Sequence, residues 1–477
     1  MNNTSPTPLD AIDSSVQSAA ATAVFWAESG PSLRAALLRG LADALDAARD
    51  ELVAIADRES ALGPARLNGE VARTSFQLRG FAAEVEAGVP YARVDDAAIA
   101  GAPPQGRPHL VRMLEPLGVV AMFSASNFPF AFSVLGGDTA AALAAGCPVV
   151  VKAHPGHPQL SLAVWELAQR VLERQKLPAG LISLVPNADR EGGSYLVRHP
   201  DVAAVAFTGS YQGGMALQKL AAERPRPIPF YGELGSINPV VALPAKLRTE
   251  GAALAATLAG SITLGCGQFC TSPGVIVLID DPASDAFVAA LAEAFKPMPT
   301  HAMLSPAIRQ GFDNGAAKLA AHAAVKPVFA PAADGAGPAP RLFEVTAEAF
   351  IADAHLREEV FGPLALVVRA ADVGEAVRVL EAVGGTLTVT LWGLEQDSDD
   401  ARHLLRAARR VAGRVLFAGV PTGVAVTHAQ QHGGPWPSST QPQSTSVGYA
   451  AMQRFLRPVA LQDAPRWALE TENGQSH

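Results

Sequence analysis

Cys270 stands in the run Gly265-Cys266-Gly267-Gln268-Phe269-Cys270-Thr271, with small residues before it and the apolar stretch Val275 to Ile279 after it. A thiolate is a strong nucleophile once its pKa is lowered, and glycines let a substrate approach the backbone closely. A buried, inert thiol is the ordinary alternative for a lone cysteine, so the surrounding chemistry has to decide. Cys266 has no comparable neighbour and reads as structural. Glu233 lies in Tyr231-Gly232-Glu233-Leu234-Gly235, an acid between glycines at the end of an apolar stretch. It is either a solvated loop carboxylate or a general base whose pKa is moved toward the working pH by burial or neighbours. Asn127, in Ser126-Asn127-Phe128-Pro129, follows a predicted strand and precedes a predicted helix. Its amide could donate to a developing oxyanion or cap that helix. Phe207-Thr208-Gly209-Ser210 also joins strand to helix, where free backbone N–H groups favour a phosphate.

Other chemistries are excluded by what the chain lacks. It has no G-x-G-x-x-G fingerprint, no G-K-S/T loop and no G-x-S-x-G elbow, which argues against an ordinary Rossmann enzyme, a P-loop NTPase and a serine α/β-hydrolase. Its eleven histidines and three cysteines do not fall at metal-ligand spacings, so no metal is expected. Three cysteines in 477 residues cannot form a disulfide framework, and a reducing compartment is the natural reading. The 37 basic and 45 acidic side chains leave a net charge of −8, with 17% charged residues against about 25% in an average soluble protein. That balance disfavours a nucleic-acid partner, which needs concentrated Lys and Arg. The first basic side chain is Arg34, preceded by Asp10 and Asp13, so a secretory leader is not expected and the start reads as cytoplasmic. The uncharged stretches Gly118 to Gly137 and Gly251 to Ile279 are interrupted by Ser, Asn, Gln, Gly and Pro, so neither is read as a membrane span.

The elements that must position these residues alternate. Leucines from Leu33 to Leu52 and Ile55 follow helical spacing from Pro31, with Ser32 as a cap. From Leu117 the pattern predicts a strand to Phe123, a helix over Phe130 to Ala145, and a strand over Pro148 to Lys152. A helix over Pro158 to Arg174 and a strand over Val202 to Phe207 follow. After Glu233 it restarts, with strands at Val275 to Ile279, Leu364 to Val368 and Leu387 to Trp392 and helices at Asp285 to Phe295 and Asp399 to Arg410. Such alternation means parallel pairing with right-handed crossovers, hence two α/β domains in series. Pro331 to Pro340 reads as a loop, and the Gln-, Ser- and Thr-rich segment Gln430 to Ser446 is expected to run over a surface.

Taken together and in this order, these pieces resemble the aldehyde dehydrogenase superfamily over nearly the whole chain. The likeness runs through Pro116-Leu117-Gly118-Val119-Val120, Asn127-Phe128-Pro129, Val150-Val151-Lys152 and Phe207-Thr208-Gly209-Ser210. It continues through Glu233-Leu234-Gly235, Gly267-Gln268-Phe269-Cys270 and Glu358-Glu359-Val360-Phe361-Gly362-Pro363. The resemblance implies two open parallel-sheet α/β domains of aldehyde dehydrogenase type with a small β oligomerisation element. Residues 1–107 and 117–232 would bind the cofactor, 233–429 would be catalytic, and 108–116 with 430–477 would bridge subunits of a homodimer or homotetramer. The strand Val459 to Leu461 would there join Pro108 to Glu115 of a neighbouring subunit. By the same resemblance Cys270 would be the nucleophile and Glu233 the general base, with Asn127 and the Cys270 N–H as the oxyanion hole. Lys152 would hold the adenosine ribose and Gly209 and Ser210 would lie near the pyrophosphate. Glu359 would bond the nicotinamide ribose, with Phe361 beside it.

The chemistry is intelligible without the family. An aldehyde hydrogen leaves as hydride only after electron density is pushed onto its carbon, which thiolate addition achieves; the resulting thioester then needs a water activated by a base. NAD-preferring relatives carry a Glu three positions after the lysine equivalent to Lys152, where this chain has Pro155, after Ala153 and His154. Without a carboxylate to repel a 2′-phosphate, NADP is the expected cofactor, with NAD possible. Asp138 stands where many relatives have Lys. Several stretches are similar to the branch acting on α-ketoglutaric semialdehyde, among them Ala125 to Pro129, Lys152 to Pro155, Gln431 to Pro435 and Arg454 to Pro458, while Trp436 and Tyr449 depart from it. His432 and Arg454 are candidates for the distal end of that substrate, Arg454 equally for an interface. The rival readings are a dehydrogenase for another semialdehyde or aliphatic aldehyde, a CoA-acylating relative, a cysteine hydrolase using His428 or His432, and a binding protein without turnover.

Overall fold

The structure, a computed structural model, describes residues 6–469 apart from 188, 333, 334 and 336. Runs of Val, Ile and Ala without alternation make strands that bury both faces, and such strands pair in parallel beneath helices. Val119–Phe123 is buried along its whole length. It lies at the centre of a five-stranded parallel sheet, in the order Ile182–Val185, Val149–Lys152, Val119–Phe123, Val202–Thr208, Phe230–Glu233. The strand order reverses beside Val119–Phe123, which opens a crevice at the carboxyl ends of the strands. Asn127, Lys152, Gly209, Ser210 and Glu233 all lie at or just beyond those ends.

A second sheet has seven strands, ordered Lys326–Phe329, Arg341–Thr346, Leu364–Ala370, Val275–Ile279, Val240–Ala242, Thr386–Trp392, Ala412–Leu416. Its first strand is antiparallel and the rest are parallel, so this sheet is mixed rather than purely parallel. Val94–Asp96, Leu110–Pro116 and Leu456–Gln462 form a third, antiparallel sheet. Within the chain, Leu456–Gln462 therefore pairs with its own Leu110–Pro116, which is where the sequence placed a neighbour's strand. All nine residues of the helix Gly137–Ala145 are buried. The Arg34 side chain, 1% exposed, donates to the Ala144 carbonyl at that helix's end, and Trp26 Nε1 donates to the Leu143 carbonyl at 3.0 Å.

Three local expectations are corrected. The predicted helix from Phe130 begins only at Gly137. Before it, Gly136 packs so tightly on the Ala131 carbonyl that a Cβ would lie 2.5 Å away, and the turn is held instead by the Glu70 carboxylate accepting from the Phe130 and Ala131 N–H groups. Ser32 is no cap: Pro31 opens the helix Pro31–Ala47 after Gly30, and the leucine pattern continues in a second helix, Arg49–Ser60. The polar segment 430–446 is not a surface run. Leu234 donates to the Ser438 carbonyl and Thr440 to the Gly232 carbonyl, so residues 438–440 cover the open edge of Phe230–Glu233 and bury much of the segment. Its hydroxyls are satisfied internally, which is why polarity did not mean solvation. Residues 331–340 belong to no strand or helix where described. Among the described residues no helix is long and apolar enough to cross a membrane.

Candidate active site

Cys270 is delivered by a sharp turn. The helix Pro244–Thr263 ends and the backbone passes through three left-handed residues, Gly265, Cys266 and Gly267, before reaching the nucleophile candidate. Gly267 is required there, since a Cβ would fall 2.3 Å from the Gly362 backbone. Cys266 is buried, with its Sγ 3.2 Å from the His301 carbonyl, and is structural as expected. Beyond the turn, the fully buried Asn238 donates through Nδ2 to the carbonyls of Cys270 and Ser272 at 2.8 and 2.9 Å. Its own Oδ1 accepts from Ser236 and Thr388. Asn238 is a scaffold residue the sequence did not reveal; its left-handed backbone, where Asn is favoured, was the available signal.

Glu233, Cys270 and His432 meet at one point. His432 Nε2 lies 3.5 Å from Cys270 Sγ and 3.1 Å from Glu233 Oε1, and Ser446 Oγ donates to Glu233 Oε2 at 2.5 Å. His432 and Glu233 are 1% and 4% exposed. The four residues come from an edge strand, the turn before another strand, and the buried 430–446 segment, so no sequence spacing could show the group. One ligand atom from each of Glu233, Cys270 and His432 falls within 4.8 Å of the others, a convergence of metal-binding residue types that spacing had not suggested. His432 Nδ1 has no hydrogen-bond partner, while Nε2 faces the acid and the sulfur.

The electrostatics differ from the expected tuning. Burial raises the Glu233 carboxyl, but the charge of His432 and hydrogen bonds from His432, Ser446 and Cys270 outweigh it and hold Glu233 below the usual carboxylate range. Burial first, then the charge and hydrogen bond of Glu233, drive the Cys270 thiol well above its ordinary value. The Cys270 side chain is thus held as a protonated thiol beside a carboxylate, not as a low-pKa thiolate. Alkylation of the cofactor-free protein by iodoacetamide is expected to quicken about tenfold per pH unit from 7 to 9 without levelling. Glu233→Gln, which removes the charge, should speed it at pH 8. A wild-type plateau below pH 8 would contradict this picture.

Asn127 Nδ2 donates to the Gln268 carbonyl at 3.0 Å, which puts its amide beside the Cys270 turn with a second N–H to spare. Glu359 lines a cleft together with Ser236, Gly267, Phe269 and Phe361 among others. Glu359 as a residue is exposed, but the protein packed around its carboxyl end pushes that group up to about 7, opposed by the Ser236 N–H and reinforced by the Glu233 charge. Gly235 makes room for that carboxylate, for a Cβ there would lie 2.6 Å from Glu359 Oε2. On the other sheet, Gly209 donates to the Glu233 carbonyl at 3.1 Å and Ser210 caps the helix Tyr211–Ala222 through the Gly213 N–H. That helix has no acid in its first turn, so its N-terminus suits an anion such as a pyrophosphate. Burial lowers the Lys152 ammonium and Asp189 opposes the shift; the neighbouring His154 is driven to about 3, by burial and then by His157 and Lys152.

Other candidates lie elsewhere. Arg454 is not at the site: it is 5% exposed and bonds Asp138 Oδ1 at 2.6 Å, a buried ion pair tying the segment before Leu456–Gln462 to the helix Gly137–Ala145. His428 pairs with Glu84 at 2.7 Å on the surface, away from Cys270, so His432 alone of the two histidines reaches the sulfur. Trp436 stacks edge-on against Tyr211 at the start of the Ser210-capped helix, and Tyr449 packs against Phe81 and His428.

Known proteins place this geometry. The aldehyde dehydrogenase family profile matches residues 7–458. Alpha-ketoglutaric semialdehyde dehydrogenase 2 of Azospirillum brasilense is 47% identical over 443 residues, covering 91% of this chain and 83% of that protein. Alpha-ketoglutaric semialdehyde dehydrogenase of Acinetobacter baylyi is 38% identical over 462 residues, covering 95% and 87%. Among solved structures, aldehyde dehydrogenase 21 from Physcomitrella patens superposes with a TM-score of 0.78 at 22% identity over 97% of this chain and 92% of its own. Proline utilization A from Bradyrhizobium japonicum gives a TM-score of 0.80 at 24% identity over 96% of this chain, which spans only 45% of that larger protein. At those identities the structures speak for the fold alone. The profile match and the two sequence relatives decide the rest: the chain belongs to the aldehyde dehydrogenase family.

Proposed function

We propose that this protein oxidises α-ketoglutaric semialdehyde to 2-oxoglutarate, with NADP used at least as well as NAD, through a thiohemiacetal and then a thioester on Cys270. The observation that carries the chemistry is the convergence of Cys270 Sγ, His432 Nε2 and Glu233 Oε1 beside the Glu359 cleft. The substrate rests on the names of the two relatives and on the stretches shared with that branch.

The thiol adds to the aldehyde carbon as its proton passes to the Glu233–His432 pair, both within reach of the sulfur. The Asn127 amide and the Cys270 N–H would hold the oxyanion, each donor contributing about 3 kcal/mol to such a step. A nicotinamide dinucleotide, when bound, supplies the hydride acceptor. Lys152 would hold its adenosine ribose, Gly209 and Ser210 its pyrophosphate, and Glu359 with Phe361 its nicotinamide end. These residues suit it, for they combine a cation, an acid-free helix N-terminus and a carboxylate that lines a cleft together with Phe361. Glu233, freed of the proton, activates the water that cleaves the thioester, and Ser446 and His432 orient its two oxygens. The Cys270–His432 contact would also suit a cysteine hydrolase, but family membership and Glu233 favour oxidation.

We take residues 1–107 and 117–232 as the cofactor-binding unit and 233–429 as the catalytic unit. The three-stranded sheet, whose outer strands Val94–Asp96 and Leu456–Gln462 each have one partner, supports assembly into two or four copies, and the free cysteines Cys147, Cys266 and Cys270 suit a reducing, cytoplasmic setting.

The test is an aldehyde panel assayed with both cofactors. The kcat/KM for α-ketoglutaric semialdehyde is expected to exceed those for succinic semialdehyde, pentanal and benzaldehyde by about tenfold or more, with free acid formed in the absence of CoA. NADP should match or exceed NAD. A requirement for CoA, a strong NAD preference or a flat aldehyde profile would each remove its part of the reading.

A further inference from the structure

The proposed substrate ends in a carboxylate next to a ketone, and none of the residues assigned so far meets that end. We propose that Arg66 and Arg73, on the helix Pro64–Glu86, form the seat for the distal carboxylate of the substrate. This inference rests on the dicarbonyl substrate reading above.

Residues 66, 70 and 73 share one helical face, spaced four and three apart. The Arg66 guanidinium lies between two rings, its central carbon 5.0 Å from the Phe128 centroid and 4.6 Å from that of Phe269. Phe128 follows Asn127 and Phe269 precedes Cys270, so Arg66 sits directly behind the two residues that flank the reacting carbon. Its Nη2 donates to the Asn127 carbonyl. Its Nη1 is buried without a partner. Gly265 allows this placement, since a Cβ there would lie 2.5 Å from Nη1.

Arg73 donates to the Val424 carbonyl through Nη1, and its Nε is likewise buried and unpaired. Arg414 bonds the carbonyls of Gly423 and Pro421 in the same loop and also leaves Nε unpaired. Arg73 and Arg414 both lie within electrostatic reach of the Cys270 sulfur. Between Arg66 and Arg73 on the helix stands the acid Glu70, whose Oε1 is taken by the Phe130 and Ala131 N–H groups. Its carboxyl is raised by burial in spite of Arg66 and Arg73. Arginine stays charged under any of these conditions. Three partly desolvated cations with one compensating acid, each cation retaining a buried N–H without an acceptor, are costly unless something completes them. A carboxylate, which matches the guanidinium fork, is the chemistry that would.

The bland alternative is that these arginines only brace the 421–424 loop and the Asn127 turn. Kinetics on two aldehydes of equal length separate the readings. Arg66→Gln and Arg73→Gln are each expected to lower the ratio of kcat/KM for α-ketoglutaric semialdehyde over pentanal by about 100-fold, mainly through KM. Arg66→Lys, which keeps the charge, should recover part of that ratio. Glutarate, a five-carbon dicarboxylate, should inhibit the wild type competitively against pentanal and lose that inhibition in Arg66→Gln. If the ratio stays within about threefold of wild type while both substrates decline together, the arginines are braces and the seat is refuted. A wild type that prefers semialdehyde, yet keeps both preference and glutarate inhibition in the variants, refutes it as well. A wild type without that preference, whose glutarate inhibition nevertheless depends on Arg66, would sink the substrate reading and leave the anion seat standing.

Discussion

Cys270→Ala is expected to lower steady-state dehydrogenase turnover by about 10⁴-fold or more, with the cofactor still bound. No other group in the site can replace the sulfur. The nearest thiol, Cys266, is buried on the far side of the turn against His301, and Glu233 and His432 are held by each other and by Ser446. Without a covalent adduct the aldehyde carbon keeps its hydrogen, because nothing pushes electron density onto it. Stopped-flow absorbance at the reduced nicotinamide band, with cofactor affinity measured separately by fluorescence, checks both halves of the expectation. Residual turnover within about 100-fold of wild type would mean that the reaction does not pass through this sulfur.

Glu233→Gln should behave differently and nearly as severely. One equivalent of reduced cofactor per site is expected to form in a burst, after which the steady-state rate falls by about 10²- to 10⁴-fold. The first half-reaction survives because the amide no longer holds a negative charge against the thiol, so Cys270 ionises more readily than in the wild type. Deacylation stalls because an amide cannot take a proton from water. Ser446 and His432 remain to position the side chain, so the loss is chemical rather than steric. The acyl-enzyme should be visible by intact mass spectrometry as one acyl adduct on Cys270. Loss of the burst together with the steady state would instead mean that the addition step depends on Glu233 itself, and that His432 alone cannot take the thiol proton.

Much of the scaffold was legible because it depends on short-range pattern. The strand Val275–Ile279 and the helix Pro158–Arg174 have the bounds their composition suggests, since a continuous β-branched run and a 3.6-residue apolar period each admit one buried geometry. The helix expected from Phe130 failed for a long-range reason: the Glu70 carboxylate, sixty residues earlier, satisfies the N–H groups that a helix would otherwise use. The surface reading of 430–446 failed likewise, because a polar segment is solvated only if the fold leaves it outside, and here it closes a sheet edge.

By itself the sequence determined the alternating α/β order, the presence of residue types able to attack, hold and deprotonate, and the lack of a carboxylate at Pro155 after Lys152. All of these are local properties, carried by a residue and its neighbours. Only the tertiary structure decided which groups share a site: it brought His432 and Ser446 onto Glu233 across some two hundred residues, removed Arg454 into an ion pair with Asp138, and set Arg66 against the rings of Phe128 and Phe269 next to Cys270. It also reversed the expected tuning of the thiol, because a pKa is set by burial and by charges within a few ångströms in space, whatever their separation along the chain.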